Sequence, residues 1–266
     1  MKEPGPKMDT IAPTDMSSPG SFCTSVLMTS DPDRAARFYT ALFGWTTKPA
    51  APGHTFLQHD GRIVASIQTV ASGRDAWIPH VCVDALERTT EAAKALGATL
   101  LNVTDVPGVA RLATLHDREA AVFGLWQPDP HGGAEQTDVV GTIWWIEVLA
   151  RDPRITRDFY GQLFGWNARE TSFEPFAVYI VFERPGNQEA GLLPLQPEWE
   201  IEPFWSTIIS VDDCDATINR AVGLGGQTVF VHTVPKHGRV GGILDPGGAY
   251  LSLRGPVPHP PLNDCG

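Results

Sequence analysis

Trp145 and Glu147 stand two apart in "IWWIEVL", and that spacing on a β-strand puts both side chains on one face. A carboxyl held among aromatic rings loses hydration, so its pKa rises and it is suited to act as a general acid or base near neutral pH. The bland alternative is a solvated rim carboxylate paired with an arginine. Tyr250 and Ser252 share a face of "AYLSL" in the same way. Other chemistry-bearing residues are scattered. The eight histidines (His54, His59, His80, His116, His131, His232, His237, His259) form no HxH, HExxH or HxxxH. His54/His59 and His232/His237 fall near turns, where exposure is the expectation. His80 is out of phase with Trp77 on its strand and is expected on the opposite face, at the helix side or surface. There is no GxSxG elbow, P-loop or GxGxxG after a strand, and "VGLGGQT" reads as a helix stop. Cys23, Cys82, Cys214 and Cys265 make no CxxC pair, which points to structural thiols in a reducing cytoplasm.

The elements that must position these residues come in repeats. "DPDRAARFYTALFGW" (from Asp31) returns as "DPRITRDFYGQLFGW" (from Asp152), with eight of fifteen positions identical. Asp31 suits an N-cap and Pro32 the first helical position. Ala35, Phe38, Tyr39 and Leu42 make one apolar stripe, and Gly44 suits a left-handed stop. Asp152, Pro153, Phe159, Tyr160, Leu163 and Gly165 repeat the pattern. A second pair, "VDALERTTEAAKALGAT" from Val83 and "VDDCDATINRAVGLGGQT" from Val211, is followed at constant offset by Pro107/Pro235, Arg111/Arg239 and Asp117/Asp245. Spans of equal length, Asp84 to Gly97 and Asp212 to Gly225, predict two more helices. A β-like run precedes each acid ("FCTSVLM", "WIPHVCV", "IWWIEVL", "FWSTIIS"), and further strand-like runs follow each helix. Four units of strand, helix and about three strands are the simplest parse.

The predicted organisation is a disordered tail over 1–20, a domain over 21–127, a linker over 128–141, a second domain over 142–255 and a tail over 256–266. The two domains are expected to be independent, each large enough for its own core. A net charge of −11 and a pI near 5.1 disfavour nucleic acid as partner. No apolar run reaches the length of a membrane span, and the first twenty residues lack a secretory apolar core.

With its repeated phrases and its closing "LDPGGAYLSL", the chain resembles the glyoxalase/bleomycin-resistance/dioxygenase superfamily, the vicinal oxygen chelate fold. The resemblance covers roughly 21–127 and 142–255, and "FYxxLFGW" looks most like tandem bacterial proteins often labelled hydroxylases. It implies an α+β fold of four βαβββ modules, paired into two domains. Each domain is a curled mixed or antiparallel sheet around a cavity, with helices outside. In metal-using relatives the first strand of a module carries a ligand seven residues before the helix-capping acid, which gives Thr24, Trp77, Trp145 and Trp205 here. The last strand carries one seven residues after its turn Asp, which gives Gly124 and Ser252. None is a conventional ligand for a hard divalent ion, so no metal and no cofactor is expected.

The opening phrase is therefore expected to be scaffold, with function on the faces that line the cavities. Glu147, the only carboxylate on the inward phase of the four first strands, is the candidate catalytic group. Trp145, Trp205, Trp77, Thr24, Tyr250 and Ser252 are the candidate ligand-binding set. The tryptophans could stack on a flat ligand or plug the space a metal would fill. The expectation is a protein that binds, or assists conversion of, a hydrophobic aromatic small molecule, more tightly in its second half. Whether it is an enzyme stays open, as does the choice between monomer and homodimer. The alternatives are a metal-dependent lyase, isomerase or extradiol dioxygenase of this superfamily, and a non-catalytic structural or oligomeric module.

Overall fold

The computed structural model describes residues 18–129, 133–173, 175–235 and 237–257. They form four successive units of one strand, one helix and three strands. The first is β1 (Phe22–Thr29), α1 (Pro32–Phe43), β2 (Thr46–Ala51), β3 (His54–His59) and β4 (Arg62–Thr69). The second is β5 (Ala76–Cys82), α2 (Leu86–Ala95), β6 (Thr99–Val106), β7 (Ala110–His116) and β8 (Val122–Pro128). The third is β9 (Ile143–Ala150), α3 (Pro153–Phe164), β10 (Asn167–Phe173), β11 (Phe176–Arg184) and β12 (Asn187–Pro194). The fourth is β13 (Phe204–Ser210), α4 (Cys214–Gly223), β14 (Gln227–Val234), β15 (Gly238–Leu244) and β16 (Tyr250–Gly255). Units pair into two eight-stranded sheets, ordered β2-β3-β4-β1-β5-β8-β7-β6 and β10-β11-β12-β9-β13-β16-β15-β14. The first strands of two units meet antiparallel at each centre, flanked by parallel β1·β4, β5·β8, β9·β12 and β13·β16 pairs. The fold is α+β with two domains of the expected type.

Helices α1 and α3 follow the reading of their phrase. Asp31 accepts from Arg34 N at 3.0 Å and Asp152 from Arg154 N at 2.9 Å, satisfying amides that have no partner within the helix. Gly44 and Gly165 end them with φ of 72°, where a side chain would be strained. The stripe Ala35, Phe38, Tyr39 and Leu42 is buried.

The other two helices start one residue later than the sequence predicts. Asp213, not Asp212, caps α4 by accepting from Ala216 N at 2.9 Å. Ala85, not Asp84, precedes α2, and Gln127 Oε1 accepts from Leu86 N at 2.7 Å in place of a cap. One residue along a strand is one change of face. Counted from the observed caps, the inward positions on β5 and β13 are Ile78 and Ser206, and Trp77 and Trp205 turn the other way.

That outer, helix-covered face is where the two domains join. One buried cluster contains Phe22, Tyr39, Trp45 and Trp77 of the first domain with Tyr160, Trp166, Phe182 and Trp205 of the second. Trp77 Nε1 donates to Tyr39 Oη at 2.7 Å, and Tyr39 Oη donates to Asp245 Oδ2, in the other domain, at 2.9 Å. Trp205 Nε1 donates to Tyr160 Oη at 2.7 Å, which donates to Asp117 Oδ2 at 2.9 Å. Each Asp also accepts two backbone amides of its own turn, Glu119 and Ala121 for Asp117, Gly247 and Ala249 for Asp245. Trp45 Nε1 donates to Gly141 O and Trp166 Nε1 to Gly20 O, both at 2.7 Å. The repeated "FYxxLFGW" therefore builds the joint between domains. The halves are not independent, because a single core runs through both.

The ends of the predicted segments are ordered further than expected. Ser18–Gly20, assigned to the tail, dock on the second domain through Arg184 Nη1, which donates to Pro19 O at 2.6 Å. In the linker, Ala134 N donates to Cys23 O and Glu135 N to Ile63 O, both at 2.7 Å, laying this stretch on the first domain. Cys23, Cys82 and Cys214 are buried thiols outside any disulfide. Residues 1–17, His131, His259 and Cys265 lie outside the described residues, as does the C-terminal tail beyond Val257.

Candidate functional site on the inner face of the second domain

The helix-free face of the second sheet carries its own cluster: Trp145 and Leu149 from β9, Tyr179 and Val181 from β11, and Leu193 from β12. Trp144, Phe204, Ile208 and Trp199 pack around it. β9 and β13 run antiparallel with Glu147 opposite Ser206 and Trp145 opposite Ile208, so alternation brings Trp145, Glu147, Phe204 and Ser206 to one surface. β16 adds Tyr250, Ser252 and Arg254, with Ser252 beside Ile208.

Two hydrogen-bonded chains meet on this surface. In the first, Trp145 Nε1 donates to Tyr179 Oη at 2.9 Å, and Tyr179 Oη donates to Glu147 Oε2 at 2.8 Å. An indole can only donate, so the tyrosyl proton is committed to the carboxyl. Gly191, on the strand between, has no side chain to obstruct them; a Cβ there would collide with the Tyr179 hydroxyl. In the second chain Ser206 Oγ donates to Ser252 Oγ at 2.9 Å, and Tyr250 Oη lies 2.8 Å from Ser252 Oγ. Phe204 meets the Tyr250 ring edge-on at 5.1 Å, and the Arg254 guanidinium lies 4.7 Å over the Trp144 ring.

Burial pushes the Glu147 carboxyl up to about 7, against the smaller opposing pull of the Tyr179 hydroxyl. Burial also raises Tyr250 to about 12, with Glu147 adding to the rise. Glu147 is half-buried as a residue, and its carboxyl changes charge near neutral pH.

Of the residues singled out in the sequence, Trp145, Glu147, Tyr250 and Ser252 come together here. Trp205 and Trp77 do not; they are buried in the joint between domains, bound to Tyr160 and Tyr39. Thr24 lies on the inner face of the first domain, opposite His80 in the β1–β5 pair, and Gly124 lies beside His80 on β8. His54 is buried rather than exposed; His80 faces away from Trp77 as expected, but it is buried on the inner face and not at the helix side or surface. Tyr179, Ser206, Trp144 and Arg254 were missed. Tyr179 alone had a signal, its period-two place in "FAVYIVFERP".

The metal of related folds can be tested against these donors. With the corrected register the expected ligand positions hold Thr24, Ile78 and Gly124 in one domain and Trp145, Ser206 and Ser252 in the other. None supplies a carboxylate or imidazole, and Glu147 is already engaged by Tyr179. Among the described residues, no three His, Cys, Asp or Glu side chains gather as a metal would need. The set does not fit a hard divalent ion.

Residues 24–126 match the family described as a glyoxalase-like domain, and residues 142–253 match the glyoxalase/bleomycin resistance protein/dioxygenase superfamily. Anthracycline biosynthesis protein DnrV of Streptomyces peucetius is 30% identical, the match covering 89% of this chain and 93% of that protein. Anthracycline biosynthesis protein DauV of Streptomyces sp. (strain C5) is 31% identical over the same shares. Among solved structures, the Mn(II)-bound glyoxalase from Novosphingobium aromaticivorans superposes with a TM-score of 0.59 at 14% identity, covering 91% of this chain and 88% of that one. At that identity the likeness is one of fold. Two successive matched domains, the full-length relatives and the paired βαβββ units agree: the chain is a tandem two-domain member of the glyoxalase/bleomycin resistance protein/dioxygenase superfamily.

Proposed function

We propose that the second domain binds a hydrophobic aromatic small molecule on its inner face, without the metal site of related folds, and that Glu147 exchanges a proton with it. The observation that carries this reading is the Glu147 carboxyl itself, held near neutrality among aromatic side chains and aimed by Tyr179. A flat ring system would lie against Trp145, Trp144 and Phe204, while the Ser206–Ser252–Tyr250 hydroxyls would orient a carbonyl or hydroxyl of the ligand. Ionised, Glu147 can accept a proton from an acidic O–H or C–H; protonated, it can return one. Tyr179 stabilises the carboxylate form and fixes its rotamer. The names of the relatives speak for a polycyclic substrate of the anthracycline kind. Three buried thiols outside any disulfide suit a reducing cytoplasm as the setting.

The test is titration with a soluble anthraquinone, followed by quenching of tryptophan fluorescence. Trp145→Ala should weaken binding by about fivefold, the equivalent of a stacking contribution of ~1 kcal/mol. Glu147→Gln should preserve binding and remove its pH dependence around pH 7. Affinity unchanged in Trp145→Ala, with the pH dependence retained in Glu147→Gln, would overturn the reading.

A further inference from the structure

Each sheet has two outer strands, and the two edges are built differently. β2 carries Lys48 and Pro49, and β10 carries Arg169 and Glu170. Charge and proline are what keep a sheet edge from pairing with another chain. At the opposite edges, β6 (TLLNVTDV) has a single charge, Asp105, and β14 (QTVFVHTV) has neither a charge nor a proline. The first seven residues of β14 are exposed, with Val229 at 51%, Phe230 at 36% and Val231 at 37%. Val222 and Leu224, where α4 runs into this strand, are exposed too. Residues of these types are ordinarily found within a sheet.

The backbone of β14 is only half used. It pairs antiparallel with β15, from Gln227 opposite Leu244 to Val234 opposite Gly238, and among the described residues nothing pairs along its other side. Alternate N–H and C=O groups there point away from the sheet and are open to a further strand. The side chains are arranged for one. Phe230 and His232 stack on each other at 5.1 Å on the inner face, where Phe230 lies over Gly242 beside Tyr250. His232 is held below its usual pKa, first by partial burial and then by the Arg239 charge, so it is neutral at pH 7. Val231, opposite Gly241, points to the other face.

We propose that β14 is a dimer interface, pairing antiparallel with β14 of a second copy and joining two eight-stranded sheets into one. The charge pattern selects that partner. A chain with a net charge of −11 repels its copy, and contact is least opposed along a strand with no carboxylate. A basic partner would find no acid on this strand and an acidic one no lysine or arginine, whereas a second β14 brings the same neutral, β-branched edge. The register centred on Val231 is self-complementary: Val231 faces the partner's Val231, and each Phe230 lies beside the partner's His232. Aromatic and β-branched cross-strand pairs are the kind that stabilise sheets. Pairing two eight-residue strands covers on the order of 1,000 Å², both copies counted, the low end of specific interfaces, which suits a dissociation constant of about 10 μM. β6 is set apart by Asp105, which ion-pairs with Arg111 of its own domain. The interface stands or falls separately from the function proposed above.

The test is sedimentation velocity of the full chain from about 1 to 200 μM, a range that spans this constant. The chain should pass from monomer to dimer and stop there. Val231→Lys sets two like charges face to face and should raise the dissociation constant about tenfold or more, and Val231→Glu should do the same. Mixed in equal amounts, the two variants should recover the dimer, because each lysine then meets a glutamate. Val103→Lys, on the β6 edge, should leave the equilibrium unchanged. Circular dichroism reports whether the variants fold; should those at Val231 fail to, Val229→Lys on the same edge carries the expectation of a lost dimer. The proposal is overturned by a monomer throughout the range, by association that grows past the dimer, by a dimer indifferent to Val231→Lys or by no recovery on mixing. Loss of the dimer in Val103→Lys would also overturn it, in favour of β6.

Discussion

Replacing Glu147 by Gln turns the raised carboxyl pKa into a measurable slope of stability against pH. In an unfolded chain a glutamate ionises near 4.5, whereas in the folded protein it does so at about 7. Below pH 4.5 the group is protonated in both states and contributes no difference. As pH rises from 4.5 to 7 the unfolded state loses its proton first, so folding is progressively disfavoured; above 7 the loss is constant. The rise from 4.5 to about 7 corresponds to ~3 kcal/mol, an upper value because the residue as a whole is only half-buried. The Gln variant carries no titrating group and keeps an oxygen for the Tyr179 hydroxyl. Wild type and variant should therefore converge in urea-unfolding free energy near pH 4.5, and the variant should gain up to ~3 kcal/mol by pH 8. A difference that stays flat across this range would refute the claim that Glu147 is a desolvated carboxyl, and with it the basis for proton transfer.

The joint between domains and the buried histidines carry their own expectations. Tyr39→Phe removes the acceptor of Trp77 Nε1 and a donor to Asp245, so it should cost about 2 kcal/mol in urea unfolding; Tyr160→Phe should do the same through Trp205 and Asp117. Because both clamps close one core, either variant should lower a single cooperative transition, and a separate early unfolding of one half would count against the shared core. His80, lowered to about 4 from 6.5, contributes stability that is present above pH 6.5 and lost as pH falls toward 4. His80→Asn should flatten that acid limb, as read by thermal denaturation at a series of pH values; an unchanged limb would mean that His80 is not buried in its neutral form.

The fold was legible because its signals are local. A capping Asp, a Pro at the first turn, an apolar stripe and a glycine stop define α1 and α3 within fifteen residues, and the repeat supplies each reading twice. The site was half legible. Trp145 with Glu147, and Tyr250 with Ser252, follow from period-two alternation within a single strand. Trp77 and Trp205 failed because α2 and α4 begin one residue later than their first acid suggests: Asp213 competes with Asp212, and Gln127, 41 residues beyond Leu86, replaces a cap for α2. Tyr179 and Ser206 reach the site only through strand neighbours, and no single segment announces such a pairing. The histidines were misjudged for the same reason. His54 lies at the start of a strand that looks like a turn in sequence, and its buried ring neighbours Trp126, a residue of a distant strand.

The two Trp–Tyr–Asp chains are reciprocal: what the first domain lends the second, the second returns through the corresponding residues. Reciprocity of this kind is the signature of an isologous contact, in which two copies meet about a two-fold axis. The chain thus has the construction of a homodimer whose subunits have been fused end to end. Fusion removes the requirement that the copies be alike wherever they do not touch. The outer faces stay bound by symmetry, since a change to Tyr39 must suit Asp245. The inner faces are released from it and differ, one carrying a carboxyl among tryptophans, the other two buried imidazoles near an indole.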